Sequence, residues 1–169
     1  LFKKAINLQI PAKFERISYD DAFAWYGSDK PDLRYDLKIQ NLSSVFEKTE
    51  LKFLQTVLSQ GGKIGAIHVT GKDFTRSELD GWVTKAMQFG AKGLLWIRFN
   101  EQAQAESPVA KFLPADFLSH VQKIIPAAKA GDSLFVIAGQ YQEAWTLLGR
   151  LRCAMAQELK LINEKEFKF

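Results

Sequence analysis

The sequence predicts an α+β fold: a two-layer sandwich in which helices cover one face of a mostly antiparallel sheet. Three observations carry this expectation. β-type runs at 63–69, 93–99 and 133–138 alternate with amphipathic stretches of helical period. The Gly61-Gly62 pair, single glycines and prolines punctuate the runs. The middle reads β-β-α-β-β-α, with one further strand and a helix after it.

Taken in order, Phe2, Ile6 and Leu8 suggest the tail of a helix, which Pro11 breaks. Ser18, with Asp21 three residues on, resembles a capping box. Ala22, Trp25 and Tyr26 follow at helical spacing, and Gly27 stands where a left-handed terminal residue belongs. Residues 28–32 are turn-rich. Asn41 can cap a short turn carrying Leu42, Val45 and Phe46. Residues 51–58 suit strand and helix equally. A strand is expected, because Gly61-Gly62 is a hairpin signal and the β run at 63–69 follows it.

Thr75 and Glu78 form a capping box ahead of Leu79, Trp82, Val83 and Ala86, and Gly90 ends that helix. A polar loop separates the run at 93–99 from residues 109–113, expected as its partner strand. Pro114 opens a helix whose apolar face is Phe117, Leu118, Val121, Ile124 and Ile125, closed by Pro126. Residues 133–138 read as a buried strand. The last helix carries Ala144, Leu147, Leu148, Leu151, Met155, Leu159 and Ile162 on one stripe. Neither end has a capping or tail signal, so both are expected to be cuts through a longer chain.

The 169 residues suffice for one domain with a real core, and 47% apolar with 25% charged residues is an ordinary globular balance. No apolar run approaches the ~20 residues of a membrane span, and residues 1–6 are too short and interrupted for a signal peptide. No membrane association and a cytoplasmic location are therefore expected. One cysteine, Cys153, excludes an internal disulfide, and His68 and His120 do not stand at zinc spacing. The net charge of +4 tolerates nucleic acid without demanding it.

The search for chemistry returns structural readings. Residues 61–65 (Gly-Gly-Lys-Ile-Gly) lack the leading glycine and the hydroxyl of a phosphate loop, since Val57 and Ile64 occupy those places. Cys153 sits in the last helix with no histidine near it in sequence, and is expected to pack rather than react. His68 lies in an apolar β run and His120 on a helix flank; both are expected to be structural or surface groups. Asp20, Asp21, Asp29 and Asp32 fall at a helix start and in a turn, where capping explains them. Lys92, Arg98, Lys111, Arg150 and Arg152 are the weighed nucleic-acid contacts. Alternating charge on a half-exposed sheet is the plainer account of them, and no aromatic ladder for stacking bases stands out. No catalytic, cofactor-binding or metal-binding residue is expected.

Several blocks in order carry a resemblance. Ile17 to Ala22 and then Tyr26-Gly27-Ser28-Asp29-Lys30-Pro31-Asp32-Leu33-Arg34 resemble the stretch after motif 2 of bacterial aspartyl-tRNA synthetases. Residues 90–97 and 107–113 resemble strand segments of that family's insertion; residues 131–135, 148–152 and 158–159 resemble its end. The resemblance implies a GAD domain, of DCoH-like two-layer β-β-α-β-β-α fold, with flanking pieces of a class II synthetase catalytic domain. It implies a division into residues 1–40 from the catalytic domain, 41–140 as the insertion, and 141–169 as the exit helix. The parent would ligate aspartate to tRNA-Asp with ATP and Mg2+, as a homodimer in the cytoplasm. The partners implied are tRNA-Asp and the rest of the synthetase chain.

What is missing belongs to the same comparison. Motif 2 needs Phe-Arg and then an acidic residue. The nearest strings, Phe14-Glu15-Arg16 and Arg98-Phe99-Asn100-Glu101, have the wrong order. Motif 3 and the histidine pair beyond the insertion are absent too. No catalytic residue of the family therefore transfers to this sequence, and the piece alone is expected to be inactive, with ATP and Mg2+ belonging to the parent. Glu15 and Trp145 are smaller departures, and Trp145 leaves the last helix without an assigned packing partner. The insertion could touch the tRNA acceptor arm or act as a spacer. A GAD module of a tRNA-dependent amidotransferase is the alternative, disfavoured by the 28–34 block.

Overall fold

The computed structural model describes residues 16–166 and 168. The helix tail expected at Phe2, Ile6 and Leu8, the break at Pro11 and the departure at Glu15 lie outside these residues. The strands are β1 (Ile39–Asn41), β2 (Lys63–Val69), β3 (Leu95–Phe99), β4 (Ala105–Glu106) and β5 (Ser133–Gly139). The helices are α1 (Tyr19–Tyr26), α2 (Lys52–Ser59), α3 (Arg76–Gln88), α4 (Phe117–Gln122) and α5 (Tyr141–Glu158). Single 3-10 turns span Ser43–Phe46 and Ala110–Phe112.

The strands form one sheet in the order β1-β2-β5-β3-β4, and every neighbouring pair is antiparallel. β5 lies between β2 and β3 and opposes both, with Ala66 and Leu95 each opposite Val136. β2 and β3 therefore run the same way, and α3 carries the chain from one to the other across the slot that β5 later fills. The expected α+β class with an antiparallel sheet is what the chain adopts.

Local chemistry sets the element ends. Both halves of the Thr75–Glu78 capping box form: Glu78 Oε2 accepts the Thr75 N–H at 2.7 Å, and Thr75 Oγ1 accepts the Glu78 N–H at 3.3 Å. At α1, Ser18 Oγ accepts the Asp21 N–H at 3.1 Å, and Gly27 closes the helix at φ 67°.

Two expected strands are not strands. Residues 52–59 form α2, because the glycines after them terminate a helix. Gly61 takes φ 73°, and the Gly62 N–H returns to the Val57 carbonyl at 2.9 Å, a helix-ending bond rather than a hairpin turn. Residues 109–113 form a 3-10 turn instead of pairing with β3. Ser107 Oγ accepts the Val109 N–H at 3.3 Å and the Ser107 carbonyl takes the Ala110 N–H at 3.1 Å, which turns the chain straight after Pro108. Besides β5, β3 pairs with the two-residue β4, inside the stretch expected as a polar loop.

Helices also cover both faces of the sheet, not one. On one face Leu79, Trp82 and Ala86 of α3 and Ala144, Leu148, Leu151 and Met155 of α5 pack with Ile67, Val69, Trp96, Phe135 and Ile137. On the other, Leu42, Phe46, Leu54, Phe117 and Val121 pack with Ile64, Ala66, Ile97, Phe99, Leu134 and Val136. The reason is in the central strands. β2 buries residues 64–67 in succession and β5 buries 133–137, so side chains of both parities need cover. Each fully buried Leu, Ile or Phe in these layers contributes about 1.5–3 kcal/mol.

Candidate functional site

α5 has two inward faces. Ala144, Leu148, Leu151 and Met155 meet the sheet, while Trp145, Gly149 and Arg152 meet α1 and the loop after it. The Trp145 indole N–H donates to the Ala24 carbonyl at 2.8 Å, which supplies the packing partner missing from the sequence reading. At Gly149 the backbones approach so closely that a β-carbon would stand 2.7 Å from the Tyr26 carbonyl oxygen and 2.9 Å from that of Gly27.

One turn on, Arg152 is 1% exposed. Its Nη2 donates to the carbonyls of Asp32 at 2.7 Å and Tyr35 at 3.1 Å, and its Nη1 to the Tyr35 hydroxyl at 3.2 Å. The guanidinium lies 4.6 Å from the ring centre of Tyr26 and 4.2 Å from that of Tyr35. Carbonyl dipoles and aromatic faces thus compensate most of a buried cation that has no direct carboxylate partner among the described residues, while its Nε–H is buried without a hydrogen-bond partner. Asp32 turns its carboxylate to Arg34 instead, with Oδ2 to Nη2 at 2.7 Å, and that hydrogen bond holds its pKa below the usual range. Burial first, and then a hydrogen bond to Cys153 Sγ at 3.4 Å, push the Tyr35 phenol up.

Cys153 was expected to pack, yet it is exposed. Leu151, Arg152 and Met155 take the inward directions, and one residue further round the helix points away from them. His68 is partly buried, with Nε2 2.8 Å from Oδ2 of the buried Asp132, whose other oxygen has no partner. His120 is half-exposed and faces Asp116 at 3.4 Å. Asp20 and Asp21 occupy the first turn of α1, as capping requires.

The weighed cations scatter. Arg98 pairs with Glu106 and donates to the Phe74 carbonyl; Arg150 donates to the Phe89 carbonyl at 3.2 Å. Two open clefts accompany them. One, of about 640 Å³, is lined by Tyr35, Lys38, His68, Lys72, Leu159 and Leu161. The other, of about 620 Å³, has Phe46 and Phe117 in its floor, Lys48, Lys111 and Lys123 along it, and Glu47 and Glu50 beside them. His68 lines the first and His120 the second, so the two histidines are not brought together. Among the described residues no group of three His, Cys, Asp or Glu side chains converges. What the sequence does not disclose is the buried, structural role of Arg152, weighed there only as a nucleic-acid contact. Its signal was a charge at the helical spacing of a buried stripe, four residues beyond Leu148.

These features define an α+β module built on a five-stranded antiparallel sheet, with its leading segment locked to its last helix. The model described as the GAD domain matches residues 54–148, and the chain belongs to that family. It is 35% identical over 170 residues to an aspartate–tRNA(Asp/Asn) ligase of Persephonella marina, covering 100% of this chain and 28% of that protein. An aspartate–tRNA(Asp/Asn) ligase of Ehrlichia ruminantium (strain Welgevonden) is 39% identical over 170 residues, 100% of this chain and 29% of that one. An aspartate–tRNA ligase of Listeria monocytogenes is 36% identical over 169 residues, with 99% and 28% covered. The chain thus spans a little over a quarter of the length of the curated relatives it matches. The resemblance drawn from the sequence blocks agrees with these alignments.

Proposed function

We propose that this chain is the insertion-domain region of an aspartate–tRNA ligase, whose whole chain attaches L-aspartate to tRNA-Asp with ATP and Mg2+. The observation that carries the reading is the alignment over 100% of the chain with a ligase of which it covers 28%. The Tyr26 to Arg34 block adds to it, since this is the segment that Arg152, Trp145 and Gly149 hold in place. Residues 1–40 and 141–169 belong by lineage to the ligase body and 41–140 to the insertion. In folding they cooperate: β1 straddles the boundary at 40, and α5 packs on the sheet. The parent is a cytoplasmic homodimer, as the family resemblance implies.

The isolated piece is non-catalytic. Adenylate chemistry needs a cation against the α-phosphate; the Phe-Arg-acidic string of motif 2 that supplies it in the family is missing from the sequence, Arg152 lies under two tyrosines and Arg98 pairs with Glu106. Its contribution is contact with the tRNA acceptor arm, through the groove carrying Lys48, Lys111 and Lys123. The amidotransferase alternative has less support, because the docked leading block belongs to the synthetase flank.

Aspartate-dependent pyrophosphate exchange tests the first part: the chain alone gives no turnover, and any exchange by it contradicts the reading. A gel shift with tRNA at two salt concentrations tests the second. Replacing Lys48, Lys111 and Lys123 by alanine should flatten the log–log salt slope by about 2–3, close to one per lost phosphate contact. An unchanged slope removes the groove from the account.

A further inference from the structure

The groove that carries Lys48, Lys111 and Lys123 holds more apolar surface than phosphate contact uses. Phe46 and Phe117, each 1% exposed, close its floor with ring centres 5.5 Å apart. Phe112 and Ile124 line it too, each 37% exposed. A duplex would need only the lysines, because its phosphates lie outside and its bases stay stacked. An apolar floor suits a flat ring that has left its stack, and about 620 Å³ is the size of a small-ligand site.

Three chemistries meet along this groove. Lys48 follows the first 3-10 turn, Lys111 lies in the second, and Lys123 ends α4. The Lys111 ammonium stands 4.8 Å from the centre of the Phe112 ring. A cation and an aromatic face are therefore already adjacent, as phosphate and base are in a nucleotide. That contact is exposed, hence weak, and yields to a phosphate. Glu47 and Glu50 also line the groove. Like the three lysines they are exposed, without an ion-pair partner among the described residues. Carboxylates repel phosphate, so they tell against the RNA backbone as the sole ligand. Toward a base they discriminate. A carboxylate only accepts, so it takes the amino group of cytosine or adenine and is opposed by the O4 acceptor of uracil.

We infer that the groove seats an unstacked, amino-bearing base of a single-stranded RNA end. Phe112 is its stacking platform, the Glu47 and Glu50 carboxylates accept from its amino group, and the three lysines hold the adjoining phosphates. This deepens the acceptor-arm reading and rests on it, since the 3′ end of a tRNA is single-stranded and made of cytosines and adenine.

The test is fluorescence anisotropy of the chain with a 5′-labelled tRNA transcript. Two further transcripts lack the single-stranded 3′ nucleotides or carry uracils for the terminal cytosines. Truncation should weaken binding about tenfold, as should Phe112→Ala, the worth of one stacked base. Phe112→Tyr should keep the affinity and Phe112→Leu should lose it, because leucine has the apolar area without the π face. The uracil transcript should bind about fivefold more weakly, and Glu47→Ala/Glu50→Ala should abolish that difference. Affinity unchanged by truncation and by Phe112→Ala, with the lysines still setting the salt slope, overturns the base site and leaves the acceptor-arm reading standing. Binding by Phe112→Leu equal to that of Phe112→Tyr overturns the stacking role, and equal binding of the cytosine and uracil ends overturns the amino-group recognition. Failure to bind any transcript overturns both readings and leaves the groove to a protein partner.

Discussion

Arg152 donates from Nη2 to the carbonyl oxygen of Asp32 at 2.7 Å, joining residues 120 apart in sequence. With the bond to the Tyr35 carbonyl and the two tyrosine rings, one side chain ties the leading segment to the last helix. A flexible neutral side chain offers none of these donors, and lysine has one nitrogen where the planar fork uses two, Nη2 for both carbonyls and Nη1 for the Tyr35 hydroxyl.

Arg152→Met should therefore destabilise the chain by roughly 2–4 kcal/mol, since two carbonyls and the Tyr35 hydroxyl lose their donors. The loss should be uneven. Hydrogen exchange should accelerate at amides 27–36 well before those of β2 and β5. Uniform acceleration across the sheet would mean that Arg152 is ordinary core rather than a clasp.

Gly149 and Gly81 predict opposite signs for the same substitution. Gly149→Ala drives a methyl into the Tyr26 and Gly27 carbonyls and should cost about 1–3 kcal/mol in urea unfolding. Gly81 lies in α3 with nothing near its missing β-carbon, so Gly81→Ala should add about 0.5–1 kcal/mol. Like signs for both would show that α1 does not press on α5 as described.

Glu78 has its pKa lowered from 4.5 to about 2, first by Lys72 and then by the Thr75 backbone and hydroxyl. A depressed carboxyl stabilises the fold above its unfolded pKa and loses that contribution as pH falls through the folded value. Glu78→Ala should thus weaken the protein at pH 7, with the gap to wild type narrowing between pH 4.5 and 2. Thermal melts at several pH values check this; a gap constant with pH would remove the charge from the capping box.

Sequence signals with a local mechanism were legible. The Thr75–Glu78 box, the Ser18 cap and the Gly27 terminus need only neighbours within a turn, and all three form. The order of strand and helix around 63–69 and 133–138 was readable because long apolar runs permit few alternatives. Two errors came from signals with two meanings. A glycine pair ends a helix or turns a hairpin, and which it does at Gly61 depends on whether Leu54 finds a core above it. Five residues such as 109–113 are too short for period to separate a strand from a turn. The cover on both sheet faces has a trace in the consecutive apolar residues at 134–137, but such a run also fits one buried strand under a single layer. The clasp at Arg152 was the least legible, because its partners lie more than a hundred positions away and are backbone carbonyls that no sequence pattern marks.

The measurement that bears most directly on the account is tRNA-Asp aspartylation by the Persephonella marina ligase carrying this chain in place of its own aligned segment. Charging should exceed that of the same ligase with the segment deleted, while the chain by itself charges nothing. A folded chimera no more active than the deletion, or charging by the isolated chain, would contradict the assignment.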